Sequence, residues 1–183
     1  MAHWEPVGSP RVWVRNFTVL DISEEYLGAL NDREHMKFSD QRLLRHDAAS
    51  CRRYLASFDG TPNLFLAVED RSSGDLVGTI TAYVDPDTRT ADIGILVFPR
   101  RSGTGVGTDA WRLVIHELMR SMRISEVTAG TAAGNLAMRR LIDACGMSPR
   151  RGLGLDVGRS DADSGCETLY FSTKATDSRE EPS

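Results

Sequence analysis

Three glycines at alternate positions, Gly103, Gly105 and Gly107, follow directly on a pair of arginines, Arg100 and Arg101. Such a run suits an anion. Glycine lets backbone N–H groups approach a ligand closely, and a helix that starts there aims its positive end at the same point. The flanking residues supply that setting. Ala91, Ile93, Ile95 and Val97 alternate like one face of a strand, and Trp111, Val114, Ile115, Leu118 and Met122 recur at helical spacing. The ligand implied is a phosphate or diphosphate. Two familiar phosphate loops are excluded. No Gly-Lys-Ser/Thr follows the loop, so the lysine that holds a nucleoside triphosphate is missing. The spacing is G-x-G-x-G, not G-x-G-x-x-G, and Glu126 stands before the next apolar run where the dinucleotide fingerprint wants an acid after it.

Asp92 is the second residue of interest. It lies on the opposite face of the strand from Ile93 and Ile95, and a carboxylate in the middle of a sheet needs either a partner or a task. It reads as a general base or as a structural carboxylate bonded to a neighbouring element. His35 and His46 stand in a polar stretch where they either touch substrate and relay a proton or are simply solvated. His116, among Val114, Ile115 and Leu118, reads as a packed helix residue. Tyr83 and Tyr170 sit near strand ends, as acids or as packing residues.

The elements that position these groups fit one domain. The chain has 183 residues, 40% hydrophobic and 26% charged, which suffices for a sizeable core in an ordinary globular protein. A net charge of −4 argues against a general nucleic-acid binder. Cys51, Cys145 and Cys166 are odd in number and lie far apart, which suits a reducing compartment better than a disulfide framework or a metal site. The N-terminus has no apolar signal core and no run approaches membrane-spanning length, so a cytoplasmic protein without a membrane or nucleic-acid partner is expected.

In chain order, residues 1–10 read as a loose arm and Val12–Val19 as a first strand. Asp21 with Glu24 forms a possible capping box for a helix carrying Tyr26, Leu27 and Leu30. Residues 31–46 are polar and aperiodic, an irregular connector. Asp47 caps a second helix bearing Cys51, Tyr54, Leu55 and Phe58. Leu64–Glu69, Leu76–Val84 and Thr90–Phe98 are strands joined by short turns, hence antiparallel neighbours. A βαβ unit would instead launch its loop from a first parallel strand. After the glycine loop and its helix come a short strand, Val127–Gly130, and a helix from Asn135 to Cys145 with Gly146 as its stop. A final pair of strands is expected over Met147–Phe171, with a mobile turn at 158–165, and a disordered tail over 174–183.

This order, β-α-α-β-β-β-loop-α-β-α-β-β, resembles the GNAT family of acetyl-CoA-dependent N-acetyltransferases. Two motifs carry the resemblance. Residues Val97 to Thr108 are similar to the family's pyrophosphate loop, and Ala129-Gly130-Thr131, Asn135-x-x-Met138 and Gly146-Met147 to its strand, coenzyme-side helix and glycine turn. The front, Tyr26-Leu27-x-x-Leu30-Asn31-Asp32, resembles ribosomal-protein alanine acetyltransferases and bacterial amino-sugar acetyltransferases. Two departures stand out. Ser102 occupies the place of the loop's usual arginine or glutamine, leaving Arg100 and Arg101 upstream of it. Ile142 replaces a tyrosine that many members use as general acid.

The resemblance implies a single α/β domain over residues 11–173, a mixed and mostly antiparallel twisted sheet flanked by helices. It implies acetyl-CoA as co-substrate and transfer to a primary amine. Strand 91–98 would meet the pantetheine arm, with an N–H near Leu96 or Val97 polarising the thioester carbonyl. The N–H groups of residues 103–107, Val106 among them, would hold the diphosphate, helped by Arg101, Ser102 and the Thr108 hydroxyl. Asn135 would bond the coenzyme arm, or merely cap its helix. Asp92 would be the base, since some members keep a catalytic glutamate there. The front connector would build the acceptor wall, with Asn31, Arg42 and His46 as contacts. The connector is short on acids that would grip a basic peptide, and Arg42 and Arg45 could face a nucleotide-sugar phosphate. A small amine such as an amino sugar is therefore preferred as acceptor. A protein N-terminus, as in a ribosomal-protein alanine acetyltransferase, and a non-catalytic acyl-CoA-binding module remain as alternatives. A homodimer is compatible with all of these.

Overall fold

The computed structural model describes residues 2–150 and 167–175. Among them, eight strands form one sheet in the order β1-β2-β3-β4-β5-β6-β8-β7. The strands are β1 (Val7–Gly8), β2 (Val12–Asn16), β3 (Leu64–Asp70), β4 (Leu76–Asp85), β5 (Thr90–Val97), β6 (Glu126–Ala132), β7 (Ser148–Pro149) and β8 (Thr168–Lys174). Every neighbouring pair is antiparallel except β5 and β6, which run parallel. Four helices cover the two faces: α1 (Glu24–Asn31), α2 (Ala48–Ala56), α3 (Val106–Arg120) and α4 (Leu136–Ala144).

Strand alternation sorts the core into two layers. One holds Val12, Val14, Leu64, Leu66, Ile80, Ala91 and Ile93 against Trp111, Val114 and Leu118 of α3 and Ile142 of α4. The other packs Phe65, Ala67 and Phe98 against Tyr26, Ala29 and Leu30 of α1, Cys51 of α2 and Phe58 just past it. Aromatic rings dominate this second layer: Phe17 stacks on Phe65 and Phe58 on Phe65, with centroids 4.3 and 5.4 Å apart.

Several local expectations are corrected. Residues 1–10 are no loose arm, because Trp4 is buried, donates its indole N–H to Val14 O, and leads into β1, which pairs with β2. The first strand stops at Asn16, since Thr18–Asp21 turns into a single 3-10 turn. Asp21 does not cap α1. Its carboxylate takes Thr18 N–H, Thr18 hydroxyl and the Arg15 guanidinium, and Ser23 caps α1 by accepting from Tyr26 N–H. Asp47 does cap α2, through Ser50 N–H. Gly146, at φ +70°, closes α4, with Met147 N–H returning to Ile142 O. β7 and β8 form the final pair, and Lys174 ends β8 where the tail was expected to begin. The turn expected at 158–165 and the rest of the expected tail, from 176 onward, lie outside the described residues.

Candidate active site

The sheet opens at its one parallel pair. β5 and β6 are in register only over Thr90–Asp92 and Glu126–Thr128. Beyond that point β5 stays with β4 as far as Val97, and β6 stays with β8 as far as Ala132. The two strands therefore part like the arms of a V. The edge of β5 from Ile93 to Val97 loses its strand neighbour, and backbone N–H and C=O groups there need partners. An extended ligand with its own amides fits such an edge.

At the far end of that edge the chain makes the glycine turn. A 3-10 turn over Pro99–Arg101 leads to Gly103 and Gly105, at φ +78° and +88°, and Gly105 is the N-cap of α3. Only glycine adopts this left-handed backbone without strain. The first intrahelical bond of α3 runs from Asp109 N–H to Gly105 O, so the N–H groups of Val106, Gly107 and Thr108 have no partner within the helix. Gly107 has a different task from Gly105. A Cβ there would lie 2.9 Å from Val97 Cγ2 and 3.3 Å from Leu141 Cδ1, so its absence lets α3 begin hard against the end of β5. The Val106 side chain is buried in the core, which leaves its N–H as the group it can offer. Ser102 is exposed and Thr108 half-buried beside these N–H groups.

Arg101 is engaged elsewhere. Its guanidinium bonds Asp70 at 3.1 Å and Asp75 at 3.3 Å, which pins the loop to the β3–β4 turn. Asn135 caps α4, its Oδ1 accepting from Met138 N–H at 3.1 Å, with its amide nitrogen left over for another acceptor. Ile142 is fully buried, so α4 brings no acid to the opening at that position.

Asp92 stands where the strands part. It is opposite Tyr83 on β4 and Thr128 on β6, and Thr128 is opposite Ser172 on β8. These four side chains make one row across the sheet on the α1–α2 face. The Thr128 hydroxyl donates to Asp92 Oδ1 at 3.3 Å. The residue is open to solvent by surface area, yet protein atoms crowd its carboxyl. That desolvation pushes its pKa up to about 6, against the opposing pull of the Thr128 bond. Beside it, the Tyr83 and Tyr54 hydroxyls meet at 2.9 Å, and burial together with this bond pushes the Tyr54 phenol up. Tyr54 read in the sequence only as a helix packing residue. Its period along α2 could not show that its hydroxyl ends beside β4.

The connector between α1 and α2 crosses the mouth of the V. Nε2 of His35 lies 2.7 Å from Val97 O. A carbonyl only accepts, so Nε2 carries the proton and Nδ1 is the basic nitrogen of the neutral ring. Phe38 reaches the far arm, where a Cβ on Gly134 would lie 3.2 Å from its ring. Asn31 is a staple: its amide donates to His46 O and accepts from His46 N–H, at 2.8 and 2.9 Å. His46 turns its Nε2 to Gln41 O at 3.3 Å, and Arg42 donates to Ser39 O at 3.0 Å. Asn31 and His46 thus shape the connector, whereas His35 contacts the strand that the coenzyme arm is expected to follow.

A sheet split at a parallel pair, with a glycine turn and a helix N-terminus at the end of the split, suits an extended ligand that ends in a phosphate or diphosphate. The sequence model of the acetyltransferase (GNAT) domain matches residues 11–148, and the chain belongs to that family. It is an acetyltransferase, and acetyl-CoA is its co-substrate. No curated protein matches the chain by sequence at a significant level. Among solved structures it is similar to a GNAT-family acetyltransferase from Bacillus anthracis, at TM-score 0.78 and 18% identity over 93% of this chain and 98% of that one. It is similar to a spermidine N-acetyltransferase from Vibrio cholerae in complex with CoA and spermine, at 0.75 and 14% over 91% and 96%. A third similar structure is RimL, a ribosomal L7/L12 α-N-protein acetyltransferase in complex with coenzyme A, at 0.78 and 10% over 93% and 98%. At these identities the likeness is one of fold. No described helix is long and apolar enough to cross a membrane.

Proposed function

We propose that this protein acetylates the primary amine of a small molecule, with Asp92 as the base that takes the ammonium proton. The observation that carries this reading is the position of Asp92 at the parting of β5 and β6, with a pKa of about 6. A carboxylate poised near neutrality is ionised at pH 7 and yet basic enough to accept a proton.

The residues around the split fit acetyl-CoA. The open edge of β5 suits a pantetheine amide, with Leu96 and Val97 nearest the turn. The N–H groups of Gly103, Gly105, Val106, Gly107 and Thr108 suit a diphosphate. Ser102 and the Asn135 amide are further donors at the rim. Bound there, the coenzyme supplies an activated acetyl thioester. The protein's own part is to hold that edge rigid through β4, to offer an N–H of β5 to developing negative charge, and to receive the amine proton at Asp92. Tyr83 and Tyr54 give the amine an aromatic and hydroxyl wall next to the carboxylate, a setting suited to a cation. Asn31 and His46 serve this site by fixing the connector.

An acceptor screen tests the reading. Purified protein with acetyl-CoA is offered amino sugars, simple diamines and peptides with free N-terminal alanine or serine. Coenzyme release that depends on a small amine, and is much slower with the peptides, supports the proposal. Turnover confined to the peptides overturns it in favour of N-terminal acetylation.

A further inference from the structure

A cavity of about 300 Å³ opens on the connector, lined by Leu30, Asn31, Arg33, Arg42, Leu44 and Arg45. Three of its six lining residues are arginines and none is acidic. The chain as a whole carries a net charge of −4, so this concentration of positive charge is local. The Asn31–His46 staple brings the arginines together by joining the two ends of the connector, so Arg33 at its start meets Arg42 and Arg45 near its end. Arg42 is oriented by its bond to Ser39 O. Arg33 and Arg45 are exposed, and no carboxylate of the described residues pairs with either.

Asp32, Glu34 and Asp47 are spent on local structure. Asp32 accepts the N–H groups of Glu34 and His35. Glu34 pairs with Lys37 at 2.5 Å, and Asp47 caps α2. The cavity shares its side of the sheet with Asp92, because α1, which supplies Leu30, packs on the core layer of that face. The same connector reaches the coenzyme edge through His35 and Val97.

We infer that this cavity binds a phosphate group carried by the acceptor, so that the substrate is a phosphorylated small amine. The inference rests on the small-amine reading above. Guanidinium forks match phosphate oxygens bidentately, and the pair from Arg33 and Arg45 suits a dianionic phosphate better than a singly charged carboxylate. The acceptor is then gripped at two ends of opposite charge, its ammonium beside Asp92 and its phosphate among the arginines.

The test compares matched amines in the full protein: glucosamine with glucosamine 6-phosphate, and ethanolamine with phosphoethanolamine. The phosphorylated partner of a matched pair is expected to show a kcat/KM higher by about tenfold or more, the scale of one charge-assisted hydrogen bond. In the double variant Arg33→Gln, Arg45→Gln the ratio within that pair falls towards one, through KM rather than kcat. Inorganic phosphate, set against chloride at equal ionic strength, is expected to raise the melting temperature of the wild-type protein and not of the double variant. Equal kcat/KM within every pair that is turned over, or a double variant that keeps both the preference and the phosphate stabilisation, overturns the inference. If no amine is acetylated but phosphate stabilises only the wild type, the anion site stands and the small-amine reading falls. If no amine is acetylated and phosphate stabilises neither protein, both fall.

Discussion

The two halves of the proposed site are built in opposite ways. The coenzyme half is nearly contiguous: β5, the glycine turn and the start of α3 occupy residues 90–108, and they offer mostly backbone. The proposed acceptor half gathers Arg33, His35 and Arg45 from the connector, Tyr54 from α2, Tyr83 from β4, Asp92 from β5 and Thr128 from β6, and it would offer side chains. A ligand common to a family can be read by backbone N–H groups, which need only glycine and a helix end. A ligand particular to one protein must be read by side chains, and these come from wherever the fold brings them together. Substitutions in the two halves should therefore fail differently.

The largest effect is expected from Asp92→Asn, which should slow transfer by about a hundredfold or more while leaving acetyl-CoA affinity intact. The wild-type rate should rise with pH through about 6 as the carboxyl ionises, and the variant should lose that rise. The sign for stability is the reverse of a usual salt-bridged acid. The folded pKa lies above the unfolded one, so the ionised carboxylate at neutral pH weakens the fold and protonation restores it. Asn should then melt at or above the wild-type temperature at pH 7, with the advantage shrinking as pH falls through about 6 and gone below the unfolded value. A pH–rate profile and a melting curve on this variant decide the matter. A rate within a few-fold of wild type would exclude Asp92 as base, and a lowered melting temperature at pH 7 would show a structural carboxylate.

Next comes Gly105→Val in the coenzyme half. A branched residue at φ +88° is strained, and its Cβ would meet the Arg11 guanidinium at 2.6 Å. Acetyl-CoA affinity should fall by about tenfold or more, an amount equivalent to ~1.4 kcal/mol, by isothermal titration. Unchanged affinity would show that the turn does not cradle the diphosphate.

A smaller effect is expected from His35→Ala. It frees the connector from Val97 O, so the acceptor KM should rise by roughly three- to tenfold, a scale set by one hydrogen bond of about 1 kcal/mol. Acetyl-CoA affinity should stay the same or tighten. If coenzyme affinity falls while the acceptor KM holds, the two halves are less separable than drawn here.

The smallest belongs to Arg101→Ala. The side chain is about one-third exposed and pairs with Asp70 and Asp75, so its loss should cost no more than about 1 kcal/mol of stability. Acetyl-CoA affinity should be nearly unchanged. A large loss of coenzyme binding would return Arg101 to the role its place beside the glycines first suggested.

The sequence by itself determined the elements on which the proposed coenzyme half is built. Alternation in β5, three glycines, the apolar stripe of α3, the Asn135 cap and the Gly146 stop are local signals, set by residues within a turn or two of each other. Asp92 was legible too, because strand alternation puts it on the face away from Ile93. Tertiary structure alone decided what faces it. The register of β4 and β6 placed Tyr83 and Thr128 opposite it, and crowding by distant atoms moved its pKa. Only the fold gave Arg101 to the β3–β4 turn, made Asn31 a staple, and laid His35 on Val97 across 62 residues of chain. The physical reason is the same in each case. Backbone geometry is fixed by neighbours in sequence, whereas the partner of a side chain is fixed by neighbours in space.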